Sequence, residues 1–167
     1  MHVPFLDLRD AYRALKPDID RAIARVLDSG WYVLGSEVDA FEAEYAAYCE
    51  AAHCVGMANG LDALHLALRA MDVGTGDEVI VPSFTFIASA TSVSMCGASP
   101  VLADIEEKTY CIDPEKVLEL ISPQTKAIIG VHLFGQPCDI RALSDICTEH
   151  ALHFIEDCAQ AHGAQYR

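Results

Sequence analysis

Short apolar runs alternate with amphipathic ones across residues 54–156, and this alternation limits the fold more than any other property of the chain. The short runs are 54–57, 79–82, 101–103, 127–133 and 153–156, each of strand length and rich in Val, Ile and Leu. Between them, 61–71, 87–95, 114–121 and 140–150 carry apolar residues at helical spacing. Strand and helix in strict succession imply an α/β fold, a mainly parallel sheet with flanking helices. No internal repeat, low-complexity tract or long linker divides the chain.

Two helices are expected before this alternation. Over 17–28, Ile19, Ala22, Ile23, Val26 and Leu27 share one face, with Pro17 suited to the first turn and Gly30 to the exit. A second helix follows, with Ser36 able to cap it and Val38, Phe41, Tyr45 and Tyr48 forming its apolar face. At 167 residues and 52% hydrophobic content, the chain can bury a core. Eleven basic against 25 acidic residues give a net charge of -14, which argues against nucleic acid and anionic membrane surfaces as partners. Residues 1–10 lack a basic stretch followed by an apolar one, and no apolar run approaches the roughly 20 residues of a membrane span, so a cytoplasmic protein is expected. Cys49, Cys54, Cys96, Cys111, Cys138, Cys147 and Cys158 form no CxxC pair, which points to reduced thiols rather than a disulfide frame or zinc site.

Ligands of parallel sheets sit at the carboxyl ends of the strands. The first such end leads into Asn59-Gly60-Leu61-Asp62, where a glycine at a helix start can expose backbone N–H groups to an anion such as phosphate. Asn59 equally suits a plain helix cap. The second is Ser83-Phe84-Thr85-Phe86, whose aromatic rings could cover a flat ligand or simply pack in the core. The third is Asp157, a carboxylate that needs a cation if half-buried, or else caps a helix. An anion seat, an aromatic slab and a carboxylate would together fit pyridoxal 5'-phosphate, whose pyridinium nitrogen an acid keeps protonated.

At this point the sequence resembles a family. Val3-Pro4-Phe5-Leu6-Asp7-Leu8, Ser29-Gly30-Trp31-Tyr32-Val33-Leu34-Gly35, Asn59-Gly60-Leu61-Asp62-Ala63-Leu64, Gly76-Asp77-Glu78-Val79-Ile80-Val81-Pro82, Val131-His132-Leu133-Phe134-Gly135-Gln136-Pro137 and Glu156-Asp157-Cys158-Ala159-Gln160-Ala161-His162-Gly163 are similar to successive motifs of the DegT/DnrJ/EryC1/StrS sugar aminotransferases. The likeness is strongest to the branch acting on nucleotide-linked 3-keto-6-deoxyhexoses. It implies the amino-terminal portion of the large domain of a fold type I pyridoxal-phosphate enzyme, with 1–35 a helical segment and 36–167 an incomplete cofactor-binding domain. It also implies roles: Asn59, Gly60 and Leu61 at the cofactor phosphate, Phe86 stacked on the ring, Asp157 at the ring nitrogen and Gln160 at the ring hydroxyl. Trp31, Tyr32 and His162 would line the sugar pocket. No metal is expected.

The family's chemistry is amino transfer, usually from glutamate, to a nucleotide-linked keto sugar in deoxysugar biosynthesis, performed by homodimers in the cytoplasm. A Schiff-base lysine anchors the cofactor and moves the proton. The lysines here are Lys16, Lys108, Lys116 and Lys126, and none stands in the family's Ser-to-Lys segment, which is expected after Arg167. The chain alone is therefore expected to be inactive and to expose apolar edges. A noncatalytic or partner-complemented fragment is one alternative. An unrelated nucleotide-binding or hydrolase domain using Ser83, His132 or Cys158 is another, without a GxSxG elbow to support it.

Overall fold

A computed structural model describes residues 4–166. Val3, which opens the first motif, and Arg167, beyond which the lysine segment is expected, lie outside the described residues. The chain forms two compact units, Met1–Gly56 and Met57–Arg167.

The first unit is built on helices α1 (Arg9–Ser29) and α2 (Ser36–Tyr48). Helix α1 starts two turns earlier than its apolar period suggests, placing Pro17 inside it rather than in its first turn. The added turns are polar and carry an exposed Arg13–Asp10 pair at i,i+3. Pro17 forfeits one backbone bond without ending the helix. Gly30 closes α1 in the left-handed conformation (φ 67°), its N–H bonded to Leu27 O. Ser36 does not cap α2: Gly35 occupies that position at φ 91°, with no side-chain bond to the helix start. A Cβ on Gly35 would lie 3.3 Å from the Trp31 ring, so both conformation and space favour glycine. Phe41 stacks on Tyr45 at 5.4 Å, as the expected apolar face requires. A bidentate Arg25–Glu37 ion pair joins the helices.

The second unit runs α3 (Gly60–Ala70), β1 (Glu78–Pro82), α4 (Ala88–Met95), β2 (Ser99–Ala103), α5 (Pro114–Leu120), β3 (Thr125–Val131), α6 (Ile140–His150) and β4 (His153–Asp157). The four strands pair in parallel, in the order β2-β1-β3-β4. The expected strand at 54–57 is absent. A strand needs a neighbour for its backbone groups, and residues 54–57 pair with none of the described strands.

Alternate residues of β1 and β3 feed two cores, because side-chain direction reverses at each strand residue. Val79, Val81, Ala127 and Ile129 pack with Leu64, Leu68 and Val93 of α3 and α4. Ile80 and Ile128 pack with Val117 of α5 and Leu143 and Ile146 of α6 on the opposite face. Burial on both faces explains why these strands are apolar without alternation. From β1 the chain crosses to β2 on one side; from β3 it crosses to β4 on the other. This reversal opens a crevice beyond the carboxyl ends of β1 and β3. Among the described residues no helix is long and apolar enough to cross a membrane.

Candidate functional site

A cavity of about 360 Å3 occupies that crevice. Asn59, Gly60 and Leu61 line it from the start of α3, Thr85 and Phe86 from the loop after β1, Val131 and Leu133 from the end of β3, and Asp157 and Gln160 from the end of β4. Three strand ends and one helix start, far apart in sequence, thus converge on one space.

Asn59 does cap α3: its Oδ1 accepts the Asp62 N–H at 2.9 Å, while its Nδ2 donates to Asp62 Oδ2 at 2.8 Å. The cap leaves the Gly60 and Leu61 amides without acceptors among the described residues. Those amides stand at the positive end of the helix dipole. A Cβ at Gly60 would meet nothing within 4 Å, so no protein atom requires glycine there. The loop after β1 separates the two phenylalanines. Phe84 packs on Tyr110 at 5.9 Å, whereas Phe86 is 74% exposed and lines the cavity instead of a core. Thr85 is tied by its hydroxyl to Ser89 at 3.2 Å.

Asp157 ends β4 half-buried, accepting the Ala159 N–H at 3.1 Å, and no described cation pairs with its carboxylate. Gln160 is oriented by an unusual turn. After β3, Leu133–Gly135 form a 3-10 turn in which Phe134 is left-handed (φ 56°), and its N–H donates to Gln160 Oε1 at 2.8 Å. An N–H can bond only to the oxygen end of the amide, so Nε2 remains the available donor of Gln160.

Behind the cavity wall lies His132, 4% exposed. The Cys138 N–H donates to its Nδ1 at 3.2 Å, and Nε2 lies 2.9 Å from Glu156 Oε2. The side chains of Cys138, Cys158 and Glu156, in that order, act to raise the ring's pKa. The main-chain N–H aimed at Nδ1 requires the opposite, an unprotonated nitrogen. The fixed amide prevails at neutral pH, because thiols add negative charge only once ionised. His132 is therefore a neutral Nε2–H tautomer donating to Glu156.

The other expected site residues are not among those lining this cavity. Trp31 and Tyr32 line a separate hollow of about 710 Å3 within the first unit, where Trp31 Nε1 donates to Val33 O at 2.7 Å. His162 is exposed and does not line the second unit's cavity, nor do Ser83 and Cys158. Lys108, Lys116 and Lys126 are also outside its lining; Lys116 pairs with Glu119 and Lys126 with Asp77. Among the described residues no three His, Cys, Asp or Glu side chains are grouped to hold a metal. The sequence reading did not include Leu64, Ala88, Val131, Leu133 and Ala159 in the site. Their apolar character fits helix and strand interiors, so no local signal marks them as cavity wall.

The chain that brings together this open helix start, exposed ring and uncompensated carboxylate is similar in sequence and fold to known proteins. Residues 13–167 match the DegT/DnrJ/EryC1/StrS aminotransferase family, and the chain belongs to it. That membership sets aside the unrelated hydrolase reading. The chain is 55% identical to dTDP-3-amino-3,4,6-trideoxy-alpha-D-glucose transaminase of Streptomyces venezuelae, covering 99% of this chain and 44% of that protein. It is also 55% identical to dTDP-3-amino-3,6-dideoxy-alpha-D-galactopyranose transaminase of Aneurinibacillus thermoaerophilus, covering 98% and 45%. The X-ray crystal structure of S. venezuelae DesV in complex with ketimine intermediate superposes with TM-score 0.95 at 55% identity, over 96% of this chain and 43% of that one. Bacillus subtilis NtdA with bound cofactor PMP superposes with TM-score 0.92 at 34% identity, over 96% and 37%. The chain thus spans less than half the length of these relatives.

Proposed function

We propose that the second unit forms most of a pyridoxal 5'-phosphate cradle, in a protein that transfers an amino group from glutamate to a nucleotide-linked keto-deoxysugar. The carrying observation is that Asn59, Gly60, Leu61, Phe86, Asp157 and Gln160 all line one cavity. Its donor set suits the cofactor's chemistry. Two unclaimed amides at a helix start fit a phosphate, an exposed ring fits a flat heterocycle, and a carboxylate lacking a cation fits a protonated ring nitrogen.

Bound there, the cofactor would supply an electron sink for the carbanion left when an amino acid loses its α-proton. The protein's part is to hold charges in place. Asp157 would keep a proton on the ring nitrogen, Gln160 Nε2 would donate to the ring hydroxyl, and Phe86 would cover one ring face and exclude water. The relatives named for dTDP-sugars support a nucleotide-linked sugar as acceptor, with Trp31, Tyr32 and His162 proposed at the sugar. We assign 36–167 to the cofactor-binding large domain and 1–35 to a helical segment preceding it, in a cytoplasmic homodimer.

A second reading, in which a partner or further polypeptide supplies the amine that anchors the cofactor, is favoured by a cavity lining that contains no lysine. One experiment addresses both. The protein is incubated with pyridoxal phosphate, reduced with borohydride and mapped by mass spectrometry, and separately assayed with glutamate and a dTDP-linked keto-deoxysugar. Transamination with a lysine adduct on the same polypeptide supports the enzyme reading. An adduct on a partner supports complementation, and neither signal overturns both.

A further inference from the structure

His132 stands outside the cavity lining yet is bonded to the two segments that position Asp157 and Gln160. Among the described residues its imidazole is the one buried histidine ring, and a buried polar ring must have its bonds satisfied. Four bonds radiate from this residue. Its main-chain N–H donates to Asp157 O at 3.1 Å, fixing the residue whose carboxylate enters the cavity. Its main-chain O accepts the Gly135 N–H at 3.3 Å, closing the turn that aims the Phe134 N–H at Gln160. At the ring, Nδ1 accepts the Cys138 N–H, securing the far side of the same turn, and Nε2 meets Glu156, the residue before Asp157.

The turn needs this support because Phe134 adopts a left-handed conformation that β-carbon crowding disfavours outside glycine and asparagine. Glu156 alone could not supply it. Its side chain is 41% exposed, and among the described residues the buried ring is the partner that fixes where it points.

We propose that His132 is a positioning residue that sets Asp157 and Gln160 at the separation the cofactor ring requires, by bracing the end of β4 and the 133–138 turn at once. The inference rests on the cofactor reading given above. Two substitutions separate the ring's bonds from its bulk. His132→Phe keeps an aromatic ring, slightly larger, and removes both ring bonds. His132→Gln can return an N–H toward Glu156. Glu156→Gln, at a half-exposed position, weakens the same link without disturbing the core, and carries the test should His132→Phe fail to fold.

The test uses the full-length protein that carries this chain. The first readout needs no cofactor: hydrogen exchange across residues 133–138 and 156–160. The second is the absorbance spectrum and dissociation constant of added pyridoxal phosphate. Faster exchange in both segments, about tenfold weaker cofactor binding and a shifted pH midpoint of the bound cofactor's absorbance are expected in His132→Phe. Partial recovery is expected in His132→Gln, and intermediate values in Glu156→Gln. A lowered melting temperature with unchanged spectrum, pH midpoint and affinity would overturn the proposal and leave His132 a packing residue. Should the unaltered protein bind no pyridoxal phosphate, the cofactor reading fails and this inference falls with it. Unaltered binding in all three variants defeats the positioning role alone.

Discussion

Gly130 lies inside β3, two residues before His132, with one face toward Cys138 and the Phe154 ring. Its backbone is not left-handed, so only space is at issue. An alanine Cβ would stand 3.0 Å from Cys138 Sγ, 3.0 Å from Phe154 Cε2 and 3.1 Å from Phe154 Cζ. These approaches are several tenths of an ångström inside ordinary contact. Cys138 is 1% exposed and cannot swing away, and Phe154 is packed in the same core. Overpacking of this kind costs about 1–3 kcal/mol. A lower unfolded-state entropy returns about 0.4–1 kcal/mol to a Gly→Ala change. The net expectation for Gly130→Ala is a loss of about 1–2 kcal/mol, measured by urea unfolding as a lower midpoint with unchanged slope. Adding Cys138→Ala removes one of the crowding atoms, so the pair should couple by about 0.5 kcal/mol or more in a double-mutant cycle. A neutral or stabilising Gly130→Ala, or strict additivity with Cys138→Ala, would refute the packing described for this face of the sheet.

Other outcomes follow from the site and its supports. Phe86→Ala should alter folding stability by less than about 0.5 kcal/mol, because the ring is mostly exposed, yet weaken pyridoxal phosphate binding about two- to tenfold through lost stacking; unfolding and titration measure the two separately. Asp139→Ala removes the cap of α6, where Oδ1 accepts the Ala142 N–H at 3.1 Å, and should cost about 1 kcal/mol by urea unfolding at pH 7. The Ala142 amide, then the Tyr166 hydroxyl, hold the Asp139 carboxyl below its usual range. The stabilisation is therefore present above the unfolded value of about 3.9 and lost as pH falls through the lower folded value, so the gap between the two proteins should close in acid.

The second unit was readable because β1 and β3 are buried on both faces and its helices on one, so the apolar pattern changes at each junction. Residues 114–121 and 140–150 mark α5 and α6 to within a residue, with Asp113 and Asp139 as their side-chain caps. Where local pattern does not decide, the reading fails. Residues 54–57 have the composition of a strand but pair with none of the described strands. The first turns of α1 carry no apolar period, and Pro17 offers a start signal that the chain overrides. Phe86 and Asp157 were legible for a topological reason, since they follow or end a parallel strand, whereas Gly60 stands at a helix start without the strand expected before it. Local pattern did not choose between Phe84 and Phe86; the family resemblance pointed to Phe86, and the fold places Phe84 against Tyr110 and Phe86 in the cavity. The His132–Glu156 contact spans 24 residues, and nothing local in either segment announces it.

The proposed placement of a pyridoxal phosphate ring in this cavity, with its nitrogen against Asp157, is tested most directly by titrating the full-length protein with pyridoxal 5'-phosphate and following the cofactor's absorbance, in the unaltered protein and in Asp157→Ala. Removing a charged hydrogen-bonding partner costs about 1.5–3 kcal/mol, or roughly 10- to 150-fold in affinity. Saturable binding of one cofactor per site, weakened by that factor and with an altered spectrum in Asp157→Ala, is the predicted result. Saturable binding with the same affinity and spectrum in both proteins would contradict it.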